Sequence, residues 1–176
     1  MWRVNPDFDA FQLSDSHRQL RAAVRELAEA QIEPYAADVD ENARYPQEAH
    51  DALVASDFFA PHVPEEYGGA GADALAVCII IEEISRVCAS SSLIPAVNKL
   101  GSMPLILAAN EDLKHRYLTP MAEGKTGFCY GLSEREAGSD TSGMTCTATE
   151  QADGSWILNG HKAWITNAGE ADVVVL

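Results

Sequence analysis

Asp112-Leu-Lys-His-Arg-Tyr-Leu-Thr-Pro-Met-Ala-Glu-Gly-Lys-Thr-Gly-Phe-Cys-Tyr-Gly-Leu-Ser133 divides the chain into two kinds of structure. Up to Met121 the stretch has helical spacing, with Asn110 before it and Pro120 near its end as punctuation, and the pattern changes after Gly124. After Gly124 come short runs rich in aromatic and β-branched residues: Gly127–Ser133, Thr145–Glu150, Ser155–Leu158, Lys162–Thr166 and Val173–Leu176. They are separated by Ser139-Asp140, Asp153-Gly154, Asn159-Gly160 and Ala168-Gly169. Asp-Gly and Asn-Gly supply the positive φ values that tight hairpin turns demand, so an antiparallel meander is expected from about residue 126.

Toward the N-terminus the chain reads as helices. Leu20, Val24, Leu27, Gln31 and Tyr35 follow the spacing of one amphipathic face, with Ser14 or Ser16 as N-cap. Pro34 should kink or end that helix. Pro46 suits the first turn of a second helix, with Ala49, Leu53 and Val54 inward. A third starts at an Asp73 cap; Leu75, Val77, Ile80, Ile81, Ile84 and Val87 make it apolar almost all round, as in a buried central helix. Segments near Leu93–Leu100 and Met103–Ala109, divided by Gly101, complete the set before Asn110. The expectation is an α+β chain: an all-α helical domain over 1–125, then an incomplete antiparallel β-domain over 126–176.

Composition narrows the function. The 176 residues are 47% hydrophobic and 22% charged, which argues for packing rather than disorder. A net charge of −15, from 27 acids against 12 bases, excludes nucleic-acid phosphates as a partner. It also denies long-range attraction to an anionic coenzyme, which would need local donors. Cys78, Cys88, Cys129 and Cys146 lack CxxC spacing and read as small buried hydrophobes, so no metal site is expected. Met1-Trp-Arg-Val-Asn-Pro6 lacks the apolar core of a signal peptide, and the run from Ala74 to Ile81 is too short to span a bilayer. A cytoplasmic location without a membrane span is the expectation.

Gly69-Ala-Gly-Ala-Asp-Ala74 matches a dinucleotide fingerprint in form only. No strand precedes it and no acid follows at ribose distance, so it reads as a loop entering a helix. Glu65-Glu66 and Glu82-Glu83 are adjacent rather than opposed, and read as solvated faces. Ala137-Gly-Ser139 can present consecutive N–H groups to an anion, or serve as a capped surface turn. On a strand over Lys162–Thr166, Trp164 and Thr166 would share one face and Ile165 would point to the core. That pair suits a flat ring, or simple sheet packing.

Val63-Pro-Glu-Glu-Tyr-Gly-Gly69, Leu118-Thr-Pro-Met-Ala-Glu-Gly124, Ser133-Glu134 with Ala137-Gly-Ser-Asp140, and Leu158-Asn-Gly-His-Lys-Ala-Trp-Ile-Thr-Asn167 together resemble, in order, the acyl-CoA dehydrogenase family. The likeness runs from about residue 13 to the end. It implies FAD lying against the β-domain beside an acyl-CoA thioester. A glutamate base and the flavin would together convert the thioester to a trans-2-enoyl-CoA. By position, Tyr130, Leu132, Ser133, Trp164, Ile165 and Thr166 would form the flavin wall. Leu132 and Ser133 would bond its pyrimidine side, Trp164 would pack on the ring, and the Thr166 hydroxyl would approach N5. Ser139 would meet the coenzyme, and Leu93 and Ala96 would line the acyl pocket. No catalytic residue falls within the chain: the resemblance puts the base beyond Leu176, in a C-terminal helical domain. It also implies a separate electron acceptor and a homo-oligomer at full length. Two other readings stay open: a non-catalytic binding or assembly module, and a flavin oxidase or monooxygenase relative.

Overall fold

A computed structural model of the chain describes residues 12–176; the N-terminal residues weighed above for a signal peptide lie outside them. Helix α1 spans Asp15–Leu27, capped by Ser14, whose hydroxyl accepts from His17 N at 3.2 Å. A π-helical turn, Ala28–Ile32, then leads into α2, Glu33–Glu41, with Pro34 in its first turn. Proline cannot donate to the preceding turn, and the wider π turn accommodates that gap. The extra residue also rotates the apolar face. Ile32 and Val39 are buried, whereas Gln31 is exposed and Tyr35 is 43% exposed, contrary to the spacing read from the sequence.

Helix α3, Gln47–Ala55, starts after Pro46 and buries Ala49 and Leu53 as expected. Helix α4, Ala74–Ser85, is capped by Asp73, which accepts from Ala76 N at 2.7 Å. It is less uniformly buried than its composition suggests: Leu75 and Cys78 are exposed. Glu83, read as solvated, is instead 3% exposed. Arg25 donates to both its oxygens at 2.8 Å, which holds the Glu83 carboxyl below the usual range. Glu82 stays outside and pairs with Arg21.

Helix α5, Ala89–Ala108, runs unbroken through Pro95, Gly101 and Pro104, and α6 covers Glu111–Ala122 with Asn110 as its cap. Gly101 is not punctuation. A Cβ there would lie 2.9 Å from the Phe128 Cβ and 3.1 Å from the Cys129 carbonyl oxygen, so glycine lets the helix touch a strand. Gly124 ends α6 in the left-handed region at φ +71°, where any side chain would also run into Val54.

Strand β1, Phe128–Tyr130, lies on α5, and buried Asn98 joins them: its Oδ1 accepts from Phe128 N at 2.9 Å and its Nδ2 donates to Phe59 O at 3.1 Å. Phe128 sits in the same core as Val24, Leu53, Ile80, Ile84, Leu118 and Met121. Strands β2, Thr147–Glu150, and β3, Trp156–Asn159, form an antiparallel hairpin across the Asp153-Gly154 turn, as expected. Strand β4, Val173–Val175, pairs with β1 in parallel, Phe128 opposite Val173. The helical-then-sheet architecture matches the sequence, but the meander does not. The β1–β4 pair is parallel, and Lys162–Thr166 forms no strand.

Candidate functional site

The seam between α5 and the strands opens into a cleft of about 220 Å³ lined by Val97, Leu100, Tyr130, Leu132, Ser133, Trp164, Ile165 and Thr166. All six side chains expected to form a flavin wall therefore meet in one place. Val97 and Leu100 come from α5, on the face continued by Leu93 and Ala96 one turn earlier. Close approach at Gly101 brings the end of β1 against that face. Gly131 N donates to Val175 O at 2.8 Å, the last bond of the parallel pair, and Leu132-Ser133 then turn away toward residues 162 and 163.

There the chain is pinned twice. Ala163 N donates to Ser133 O at 2.8 Å, and Lys162 Nζ donates to Leu132 O at 3.0 Å. Trp164 follows at φ +62° and Asn167 at φ +63°, both in the left-handed region that non-glycine residues rarely adopt. Strand alternation therefore does not organise this wall. The rotated backbone brings Trp164, Ile165 and Thr166 all to the cleft, with the indole 90% exposed and Ile165 half-buried rather than in the core. Among the described residues, the amides of Leu132 and Ser133 and the hydroxyls of Ser133 and Thr166 have no protein partner. Hydrogen-bonding capacity is left open to a ligand beside an apolar helix face.

The residue after Ser133 is Glu134. It is 7% exposed and accepts from Thr145 N at 2.6 Å, Thr145 Oγ1 at 2.9 Å, Cys146 N at 3.0 Å and Lys162 Nζ at 2.9 Å. The Lys162 ammonium and these N–H groups hold its carboxyl far below the ordinary carboxylate range. Each of the two motifs carries one charge of this pair, but nothing local in the sequence pairs them. Val97 and Leu100 were also missed, although they lie four residues beyond Leu93 and Ala96.

The remaining candidates fall elsewhere. Ser139 is exposed and outside the cleft. The anion nest is partly committed, since Ala137 N donates back to Glu134 O at 3.3 Å and Asp140 caps the turn Thr141–Gly143. Leu93 is 43% exposed and Ala96 half-buried, beside the cleft rather than in it. Residues 69–73 form a loop entering α4 at Ala74, and among the described residues no strand precedes it, unlike a dinucleotide fingerprint. Cys88 and Cys129 are buried, whereas Cys78 is exposed and Cys146 half-buried. No metal-binding cluster and no helix long and apolar enough to cross a membrane occur among the described residues.

Two constellations absent from the sequence reading emerge in space. Ser14 Oγ lies 2.7 Å from His17 Nδ1, and His17 Nε2 lies 3.2 Å from Asp73. Ser14 and Asp73 each cap a helix and both are exposed, so this triplet joins two helix starts rather than activating a nucleophile. His62 is buried, with Nε2 donating to Ser102 Oγ at 2.7 Å while that hydroxyl donates to Asn98 O at 2.8 Å. Among the described residues its Nδ1 is buried without a partner, and burial, aided by Lys99, pushes the imidazole down to about 4.

Two family models match adjacent stretches of the chain. The family model for the acyl-CoA dehydrogenase N-terminal domain matches residues 14–125, and that for the middle domain matches residues 129–176. The probable acyl-CoA dehydrogenase fadE25 of Mycobacterium leprae is 58% identical over 170 residues, covering 97% of this chain and 43% of that protein. Butyryl-CoA dehydrogenase from Megasphaera elsdenii superposes with a TM-score of 0.84 at 30% identity, covering 93% of this chain and 44% of that one. The acyl-CoA dehydrogenase complexed with FAD from Bacillus anthracis gives 0.84 at 30% identity, over 96% of this chain and 29% of that one. The chain thus spans less than half the length of the relatives it matches. With both family models matched over almost all of its length, the chain belongs to the acyl-CoA dehydrogenases.

Proposed function

We propose that this chain supplies the flavin-ring wall of an FAD-dependent acyl-CoA dehydrogenase. The observation that carries the reading is the convergence of Tyr130, Leu132, Ser133, Trp164, Ile165 and Thr166 on one cleft with unpartnered donors and an exposed indole. The fit is to part of the cofactor. Sites for whole drug-sized ligands run to roughly 300–1,000 Å³, so a cleft of about 220 Å³ suits a ring system and leaves the rest of a dinucleotide to other surfaces.

Bound there, FAD would supply the hydride acceptor for oxidising an acyl-CoA thioester to its trans-2-enoyl product. The chain's own residues do four things. Val97 and Leu100 keep water from one side of the cleft. Trp164 offers a stacking face. Leu132 and Ser133 present donors to a polar ring edge, and the Thr166 hydroxyl provides a further donor where negative charge can be stabilised. The net charge of −15 makes such local donors necessary, because the overall field repels an anionic coenzyme.

Protein produced from its native gene should be yellow, release FAD on denaturation, and lose its visible flavin band when acyl-CoA esters of graded length are added without oxygen. A colourless protein, or a yellow one that no ester bleaches, would overturn the reading. The exposed Trp156, Ile157 and Leu158 of β3 favour a second role as an assembly surface. That role predicts flavin binding without turnover in a stable oligomer.

A further inference from the structure

We propose that Glu134 and Lys162 are positioning residues for the cleft, locking its two coil walls at a fixed spacing before any ligand enters. This rests on the flavin reading of the same cleft. The walls come from segments distant in the chain, and neither belongs to a strand there. Their mutual placement depends on a compact clasp. Lys162 Nζ bonds Leu132 O at 3.0 Å and Glu134 Oε1 at 2.9 Å, while Ala163 N bonds Ser133 O at 2.8 Å.

The clasp is shielded and fully satisfied. The two side chains are only 14% and 6% exposed, so the charges interact with little solvent screening. Glu134 holds three further donors on Thr145 and Cys146, which anchors it to the segment leading into β2. A buried pair with its remaining lone pairs satisfied resists rearrangement, and removing one partner leaves the other charge uncompensated.

Its consequence falls on the next residue. Trp164 occupies left-handed backbone at φ +62°, a conformation that persists only where the surroundings over-determine it. With Lys162 and Ala163 tied to the opposite wall, the indole is held at the cleft instead of relaxing to a commoner φ. Such preorganisation spares a ligand the cost of ordering the loop.

The test uses protein from the native gene, stripped of flavin. Lys162→Met keeps the aliphatic stem and removes the charge; Glu134→Gln keeps the shape. Each should weaken FAD binding by about tenfold at temperatures where circular dichroism shows a folded chain, and Lys162→Arg should recover most of it. Hydrogen exchange of the flavin-free protein should speed up over residues 162–167 in Lys162→Met but not over α5. An FAD affinity in Lys162→Met within twofold of wild type overturns the proposal. Unfolding of both variants also overturns it, because the pair would then serve folding. If wild type binds no FAD, the flavin reading fails separately. The exchange measurement still judges the clasp, and unchanged rates over 162–167 would reject it.

Discussion

The helical and strand regions meet at one seam, yet they are held together by different physics. The helical region packs Val24, Leu53, Ile80, Ile84, Leu118 and Met121 with almost no exposure. Even its buried carboxylate, Glu83, is neutralised by a neighbouring helix. In the strand region every residue of β2 and β3 is exposed, and Trp156, Ile157 and Leu158 are each more than half exposed. One wall of the cleft is therefore rigid because it is part of a core. The other is rigid only where hydrogen bonds and the Glu134–Lys162 pair make it so. The cleft proposed for the flavin ring sits where the two regimes touch.

That contrast can be broken most forcefully at the residue both regions share. Phe128 starts β1 and is fully buried in the helical core. Phe128→Ala should cost about 3–5 kcal/mol of unfolding free energy, read from the urea midpoint. Unfolding followed by two probes should show both regions lost together.

Acid separates the regions next. The folded-state pKa of His62 is depressed from 6.5 to about 4, so the folded chain binds fewer protons than the unfolded chain in that window. Stability is then full above pH 6.5 and falls toward pH 4, by on the order of 3 kcal/mol. A His62→Gln variant should flatten that slope. The Glu134 carboxyl is also depressed, but from a carboxylate range that starts lower. Its contribution is present above about pH 4.5 and is lost only below it. Between pH 7 and 5, amide protection factors, each referred to the intrinsic exchange rate at that pH, should fall around residues 59–63 while those of Thr145 and Cys146 hold. The reverse order would contradict the assignment.

Gly101→Ala sharpens the comparison more gently. The added methyl would press on Phe128 and Cys129, a cost of roughly 1–3 kcal/mol for overpacking, measurable as a lower melting temperature. Helix propensity alone predicts the opposite sign, because alanine is the better helix former. The smallest stability effect belongs to the most exposed site residue. Trp164→Ala should leave stability within about 0.5 kcal/mol. FAD affinity should nonetheless fall by roughly threefold to tenfold through lost stacking.

Local rules made much of the helical region legible. The Asp73 and Asn110 caps, the Pro46 start and the left-handed Gly124 stop act within a few residues, and each leaves a sequence mark. What escaped was non-local. The π turn before Pro34 shifts the phase of the apolar face by one residue, which put Tyr35 outside and Ile32 inside. Gly101 looked like a break because a helix pays for glycine. Its reason lies in a strand that arrives later in the chain. Parallel pairing of β1 with β4 needs a long crossover, which short-range turn signals do not encode. At the cleft, family resemblance drew together the six residues that the structure brings to one place, and their role toward a flavin is the proposal. The strand alternation offered for Trp164 and Thr166 was mistaken, because a left-handed backbone orients them. The Glu134–Lys162 clasp was invisible for the same reason as the parallel pair: its partners are distant in sequence.

Hydrogen exchange of the native protein with and without FAD, read by mass spectrometry, tests the central claim most directly. Protection should appear together over residues 130–134 and 162–167 and at Val97 and Leu100 on α5, with the β2–β3 hairpin unchanged. Protection confined to the hairpin, or absent from either coil wall, would contradict the account.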